Sequence, residues 1–199
     1  MNKKMVLMTV LIFGLGVILA SCAGVQVKPT ETNFKAPEIT LESFEVPQYD
    51  GYWYYGAKTE PTKGEAGDHG APLPMSFVFN ITNPNSYPVL LEGYSFSVAF
   101  EGFDLITVNN IDSCWIPAGK TNQVRATTLI TARSGLLSLL VTGGYKLKAK
   151  GINAWEALEK WWKGVSDYSV PVTLHEGAFT FSANGVTEVL PYTVTIPAM

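Results

Sequence analysis

Two histidines with carboxylate neighbours are the residues of this chain whose types suit acid–base or metal chemistry. His69 follows Asp68 in a glycine-rich segment, and His175 precedes Glu176. The second pair begins like the zinc-protease motif His-Glu-x-x-His, but Phe179 occupies the position of the second histidine. Beyond residue 21, the chain has no Gly-x-Ser-x-Gly elbow, phosphate loop, Cys-x-x-Cys pair or dinucleotide fingerprint. We therefore expect a protein that is not an enzyme, with no catalytic residue, no metal site and no cofactor.

Cys22 is the residue whose surroundings predict covalent chemistry. It closes an apolar run, residues 5–20, that follows Lys3 and Lys4 and is shorter than the ~20 residues of a membrane-spanning helix. The ending Leu-Ala-Ser-Cys resembles the lipobox of bacterial lipoproteins, in which the chain is cut before the cysteine and its thiol and new amine are acylated. By this resemblance, residues 1–21 are a signal peptide and Cys22 is the lipidation site. A plain signal peptide and an uncleaved anchor are the alternatives.

The lipid would make the membrane the first partner of this protein. Two or three acyl chains hold a protein far more firmly than one chain does. Ala23, rather than Asp, follows the cysteine; by resemblance to lipoprotein sorting, this indicates the outer membrane if the host has two membranes. Residues 22–35 are expected to form a flexible tether, which reaches about 45 Å when fully extended. The predicted location is the bacterial cell envelope.

The composition after residue 21 is that of one folded domain, expected over residues 36–199. Removal of the signal changes the net charge from −3 to −5 and leaves 178 residues. An acidic surface argues against nucleic acid as a partner. Cys114 is then without a disulfide partner, and its apolar neighbours Trp115 and Ile116 predict a buried, unreactive thiol. The oligomeric state does not follow from these features.

The hydrophobic pattern predicts mostly short strands, with two helices. The first strand is expected to be irregular near Ser43, and Gly93 is expected to form a bulge. One helix is predicted over 134–141; a second begins at the cap Asn153 and ends at Gly164. This pattern favours an antiparallel β-sandwich. The predicted strands are residues 39–46, 75–81, 89–100, 105–108, 124–130, 168–174, 178–181 and 192–196.

The second helix carries three tryptophans. Trp155, Trp161 and Trp162 share one broad face with Leu158. Packing of this face against the sandwich is the main interpretation, and contact with a partner or a bilayer is the alternative.

Several motifs follow each other in a fixed order along the chain. A strand ends in the turn Asn83-Pro84-Asn85, a second strand carries Gly93 and an aromatic residue, and an Ile-Pro-Ala-Gly stretch follows at 116–119, before closing strands around 168–172 and 191–197. In this order, the motifs resemble the late-embryogenesis-abundant type 2 (LEA type 2) domain, also called the water-stress and hypersensitive-response (WHy) domain. The resemblance implies an immunoglobulin-like or fibronectin III-like sandwich with one or two short helices. It also implies a non-enzymatic role, protecting or binding envelope proteins or membrane under desiccation or a related stress.

Two segments are singled out as structural or binding elements. Asn83, Pro84 and Asn85 are expected to form a structural turn, because the proline fixes its own φ and the asparagines cap the turn or adopt left-handed geometry. The segment 50–74 is longer than the first connection of the LEA type 2 family. Its aromatic residues could contact a glycan or a partner protein, and the alternatives are that they cover the sandwich or form an edge strand. These residues are Tyr52, Trp53, Tyr54 and Tyr55. The same segment carries three carboxylates and a histidine, Glu60, Glu65, Asp68 and His69. We interpret these residues as part of a solvated polar loop rather than as a metal site.

Overall fold

A computed structural model describes residues 28–52 and 70–197 of this chain. The described part is mainly β, with eight strands and three short helices. The strands are β1 (Glu38–Glu45), β2 (Pro72–Thr82), β3 (Val89–Phe100), β4 (Phe103–Asn110), β5 (Cys114–Ile116), β6 (Thr121–Thr131), β7 (Val172–Ala183) and β8 (Val186–Ile196). The helices are α1 (Ala132–Val141), α2 (Gly144–Lys150) and α3 (Ala154–Val165).

The strands form two antiparallel sheets that pack face to face. One sheet has the order β1-β2-β6, and the other has the order β4-β3-β7-β8, with the short β5 also paired to β3. The strands β1, β2 and β6 correspond in order to strands A, B and E of one immunoglobulin sheet. The strands β3, β7 and β8 correspond to strands C, F and G of the other sheet. The predicted antiparallel β-sandwich is confirmed. The core lies between the sheets, where rings of both sheets meet edge to face, as Phe79 does with Phe96 and Phe179.

Both predicted irregularities occur in the strands. The pairing of β1 with β2 shifts between Leu41 and Ser43, and the pairing of β3 with β7 shifts between Leu91 and Gly93. A Cβ on Gly93 would lie 2.6 Å from the carbonyl oxygen of Asn110, so only glycine allows β4 to approach β3 this closely.

The two strands predicted over 168–174 and 178–181 are one strand, β7, which begins at Val172. Its pairing with β8 shifts between Leu174 and Gly177, and Glu176 has a left-handed backbone (φ 51°). This bulge adds residues to β7 and interrupts the apolar alternation, so the sequence pattern reads as two separate runs.

The helices follow each other between β6 and β7. Thr131 and Ser134 form a reciprocal capping box at the start of α1, and the Asn153 side chain caps α3, as predicted. The prediction of Gly164 as the helix stop is wrong, because α3 continues through Val165. A Cβ on Gly164 would lie 2.5 Å from the Val170 side chain, so this glycine serves close packing. The helix α2 was not predicted.

The sandwich has two distinct ends. The turn end consists of the turns at 83–88, 117–120 and 184–185, together with residues 28–35; the helical end consists of α1, α2, α3 and the β3–β4 turn. Within residues 28–52 and 70–197, no helix is long and apolar enough to cross a membrane. Strand β8 lies at the edge of its sheet and carries Pro191 opposite Ala178.

Candidate binding surfaces

The Asn83-Pro84-Asn85 motif forms the centre of a buried hydrogen-bond network at the turn end. The side-chain amide of Asn83 donates to the carbonyl oxygens of Tyr87 (2.8 Å) and Ile116 (3.0 Å). Its side-chain oxygen accepts from the backbone N–H of Asn85 at 2.9 Å. Because Asn83 is fully buried, these bonds satisfy polar groups that water cannot reach. The motif therefore joins the β2–β3 connection to the Ile-Pro-Ala-Gly stretch, beyond shaping a local turn.

Asn85 holds part of the segment that was predicted to be a flexible tether. Its side-chain oxygen accepts from the backbone N–H of Lys35 (2.9 Å), and its side-chain amide donates to the Lys35 carbonyl (2.8 Å). The Tyr87 hydroxyl donates to the side-chain oxygen of Asn33 (3.0 Å), and the Asn33 amide donates to the Lys28 carbonyl (2.9 Å). Residues 28–35, part of the segment for which the sequence predicts a tether, are thus docked on the domain through Asn33 and Lys35. Residues 22–27 lie outside the described residues.

A groove of about 650 Å³ lies beside this docked segment. It is lined by Lys28 and Pro29 from the docked segment, by Tyr87 and Pro88 from the β2–β3 connection, and by Trp115 of β5. Trp115 is 58% exposed although it belongs to the short strand β5. A large exposed ring beside a lysine can contact lipid headgroups, a sugar or another protein.

At the helical end, Glu101 attaches α3 to the β3–β4 turn. Its carboxylate forms an ion pair with Lys160 and accepts a hydrogen bond from the Trp161 indole N–H at 2.9 Å. Burial raises the pKa of Glu101, but the bonds from Lys160 and Trp161 and the charges of Lys160 and Lys150 lower the pKa more, so the net shift is downward. The same turn is held by Lys146, which donates to the Gly102 carbonyl.

The tryptophan face of α3 is divided between core and surface. Trp161 and Trp162 are buried, which agrees with the interpretation that this face packs on the sandwich, while Trp155 is 38% exposed. Tyr52 is also buried, with its ring 6.4 Å from that of Trp162 in an edge-to-face arrangement. Burial raises the pKa of its hydroxyl.

Of the four aromatic residues predicted to contact a ligand or partner, the structure thus describes only Tyr52, and this residue covers the sandwich. Trp53, Tyr54 and Tyr55 lie outside the described residues, as do Cys22 and the carboxylate and histidine group of residues 60–69.

An exposed apolar surface on α1 is a feature that the sequence reasoning missed. This helix was predicted to pack on the sheet, and it does so through Leu136 and Leu139, which are buried. Its opposite face exposes Leu137, Leu140 and Val141, the last at 80%. Tyr145 follows at the start of α2 and is 88% exposed. We call Leu137, Leu140, Val141 and Tyr145 the α1 surface. The apolar residues at positions 136–137 and 139–141 were the available signal, since one helix cannot bury both faces against one sheet.

Of the two histidine and carboxylate pairs considered first for chemistry, only His175 and Glu176 lie within the described residues. His175 Nε2 lies 2.6 Å from the Asp104 carboxylate, and both side chains are accessible to solvent. Within the described ranges, no three His, Cys, Asp or Glu residues are grouped as a metal would need. Cys114 is partly rather than fully buried, and burial raises the pKa of its thiol, which favours the protonated, unreactive form.

Comparisons with known proteins find similar solved structures at low levels of likeness. No family model and no curated protein matches the chain. A protein from Archaeoglobus fulgidus is 10% identical, with 78% of this chain and 94% of that chain covered and a TM-score of 0.41. A Bordetella pertussis protein proposed to be ApaA is 11% identical, with 83% and 97% covered and a TM-score of 0.43. A protein proposed to be late-embryogenesis-abundant is 11% identical, with 99% and 87% covered and a TM-score of 0.33. At these TM-scores, the likeness assigns no family.

Proposed function

We propose that this chain is a lipid-anchored protein of the bacterial envelope that acts without catalysis, shielding neighbouring proteins from association during drying or a related stress. The α1 surface is the observation that carries this proposal. Four large apolar side chains exposed within nine residues offer contact area to many partially unfolded clients without requiring a matched shape. The order of the LEA type 2 motifs along the chain supports the same role.

The sandwich beneath this surface suits a protein that must stay folded while its clients lose water. The core contains many fully buried aromatic rings, and the α1 surface is presented by a helix whose other face is anchored by Leu136 and Leu139. A client can therefore contact the exposed face without displacing core residues. The lipid at Cys22 would concentrate the protein where envelope clients are found.

Protection of an unrelated enzyme from aggregation tests the proposal. The mature lipoprotein in vesicles is dried and rehydrated with the enzyme, and light scattering and recovered activity are measured. We expect the double substitution Leu140→Ser and Val141→Ser to remove most of the protection, because it replaces the most exposed apolar groups of α1 with hydroxyls.

The matched control is Val189→Ser, which removes a comparably exposed apolar side chain from β8. This variant is expected to protect like the wild type. Equal protection by the α1 double variant, or capture of one specific partner with no protection, would contradict the proposal. Mass spectrometry of the mature N-terminus, seeking diacylglyceryl on Cys22, tests the anchor separately.

A further inference from the structure

The described chain begins close to the predicted lipid. Cys22 precedes Lys28 by six residues, and six residues span at most about 21 Å even when fully extended. Lys28 itself belongs to the docked segment 28–35 at the turn end. The strands run the length of the sandwich for up to 12 residues, as in β3, so the helical end lies roughly 40 Å from the turn end.

We infer that the turn end faces the bilayer, with Trp115 and Lys28 at the level of the lipid headgroups. This inference rests on the lipid anchor of the proposed function and adds the surface that meets the membrane. Tryptophan favours the membrane interface because its ring is apolar and its N–H remains hydrated. A lysine beside it extends its charged group toward phosphates.

The short connection, rather than charge, produces this orientation. The charged residues at this end are balanced: Lys28, Lys35 and Lys120 against Glu31, Glu38 and Glu188. A balanced surface has little electrostatic attraction to anionic lipid. The docking of residues 28–35 therefore matters, because their release would lengthen the reach from Cys22 to Lys35 to about 45 Å.

Fluorescence quenching by brominated lipid tests the orientation. The mature lipoprotein, with diacylglyceryl on Cys22 verified by mass spectrometry, is reconstituted into phosphatidylcholine vesicles with and without brominated phosphatidylcholine. We expect tryptophan quenching in the wild type and loss of most of that quenching in Trp115→Phe. The matched control Trp155→Phe removes the tryptophan that is exposed at the helical end within the described residues, and it should retain the quenching.

The outcomes separate the orientation from the anchor. Lipidated protein whose quenching depends on Trp155, or on neither tryptophan, overturns the orientation and leaves the anchor intact. An unmodified thiol at Cys22 refutes the anchor itself.

A second pair of variants tests the docked segment without touching the core. Asn33→Ala removes the side-chain bonds to the Thr30 N–H, the Tyr87 hydroxyl and the Lys28 carbonyl, and leaves the bond from the Tyr87 hydroxyl to the backbone carbonyl of residue 33. It is expected to lower Trp115 quenching while Cys22 remains lipidated. Thr32→Ala, an exposed change in the same segment, should leave the quenching unchanged. Full quenching in Asn33→Ala would overturn the role of the docked segment in setting the orientation. Circular dichroism of each variant verifies that the sandwich is folded.

Discussion

The two ends of the sandwich are held by different interactions. At the turn end, the buried side chains of Asn83 and Asn85 make directional hydrogen bonds to backbone groups of distant segments. At the helical end, the buried ring of Trp161 packs on Phe100 and Phe103, and the buried ring of Trp162 packs on Tyr52. Glu101 fixes the position of α3. A hydrogen bond contributes little net free energy but requires a definite geometry, whereas the burial of a large ring contributes more to stability. The turn end therefore fixes the path of the chain, and the helical end supplies stability.

The largest effect is expected from the loss of a buried ring at the helical end. Trp161→Ala should lower the free energy of unfolding by about 3–5 kcal/mol, since it removes a fully buried indole and leaves a cavity. Urea unfolding monitored by circular dichroism measures this change. Trp155→Ala, which removes a partly exposed indole from the same helix, should cost far less. Similar costs for both variants would show that α3 is not held by its buried face.

An intermediate effect is expected at the turn end. Asn83→Ala should lower the free energy of unfolding by about 1–3 kcal/mol, because the carbonyl oxygens of Tyr87 and Ile116 lose their buried donor. Hydrogen exchange should also become faster at Lys35 and Asn85 while remaining slow in α3. The control is Asn122→Ala, which removes an exposed bond to the Trp115 carbonyl and should cost little. If Asn83→Ala lowers the free energy of unfolding more than Trp161→Ala does, the conclusion that the helical end supplies more stability than the turn end is wrong.

The smallest effect concerns the acid sensitivity of the helical end. Because the pKa of Glu101 is lowered in the folded state, its stabilising contribution is present above the ordinary value of 4.5 and is lost as the pH falls through the lowered pKa. Glu101→Gln should therefore lower the free energy of unfolding by about 1 kcal/mol at pH 7, after allowance for solvent screening. The difference from the wild type should become progressively smaller toward pH 3. Urea midpoints of both proteins across this range measure the difference. A difference for Glu101→Gln that stays constant across this pH range would contradict the ion-pair account.

The fold was largely predictable because strands and caps leave local signals. Alternating apolar residues located most strands, Ser43 and Gly93 marked the shifts in pairing, and Asn153 marked the start of α3. The bulge near Glu176 was not recognised, since extra residues in a bulge imitate a break between strands. Gly164 looks in the sequence like a helix stop, because a glycine required for close packing, here against Val170, gives the same sequence signal as a glycine required by a cap.

The candidate surfaces were less predictable, because they depend on which face of a helix or strand packs against the rest of the domain and which face stays exposed. Asn85 was expected to act within its own turn, yet it binds the backbone of Lys35, fifty residues earlier in the chain. The apolar residues of α1 gave no sign of which ones the sheet would cover. The sequence shows Trp115 only as an apolar neighbour of Cys114; in the short strand β5, successive side chains point to opposite faces, so Ile116 is buried and Trp115 is exposed.

The proline in β8 has a consequence for chains that are crowded together. Pro191 has no N–H, so the outer strand of its sheet cannot present an unbroken row of donors to the same strand of another molecule. Glu188 adds a charge to the same strand, which repels its counterpart in an identical chain. When evaporation brings neighbouring molecules into contact, this edge therefore resists growth into intermolecular cross-β aggregates.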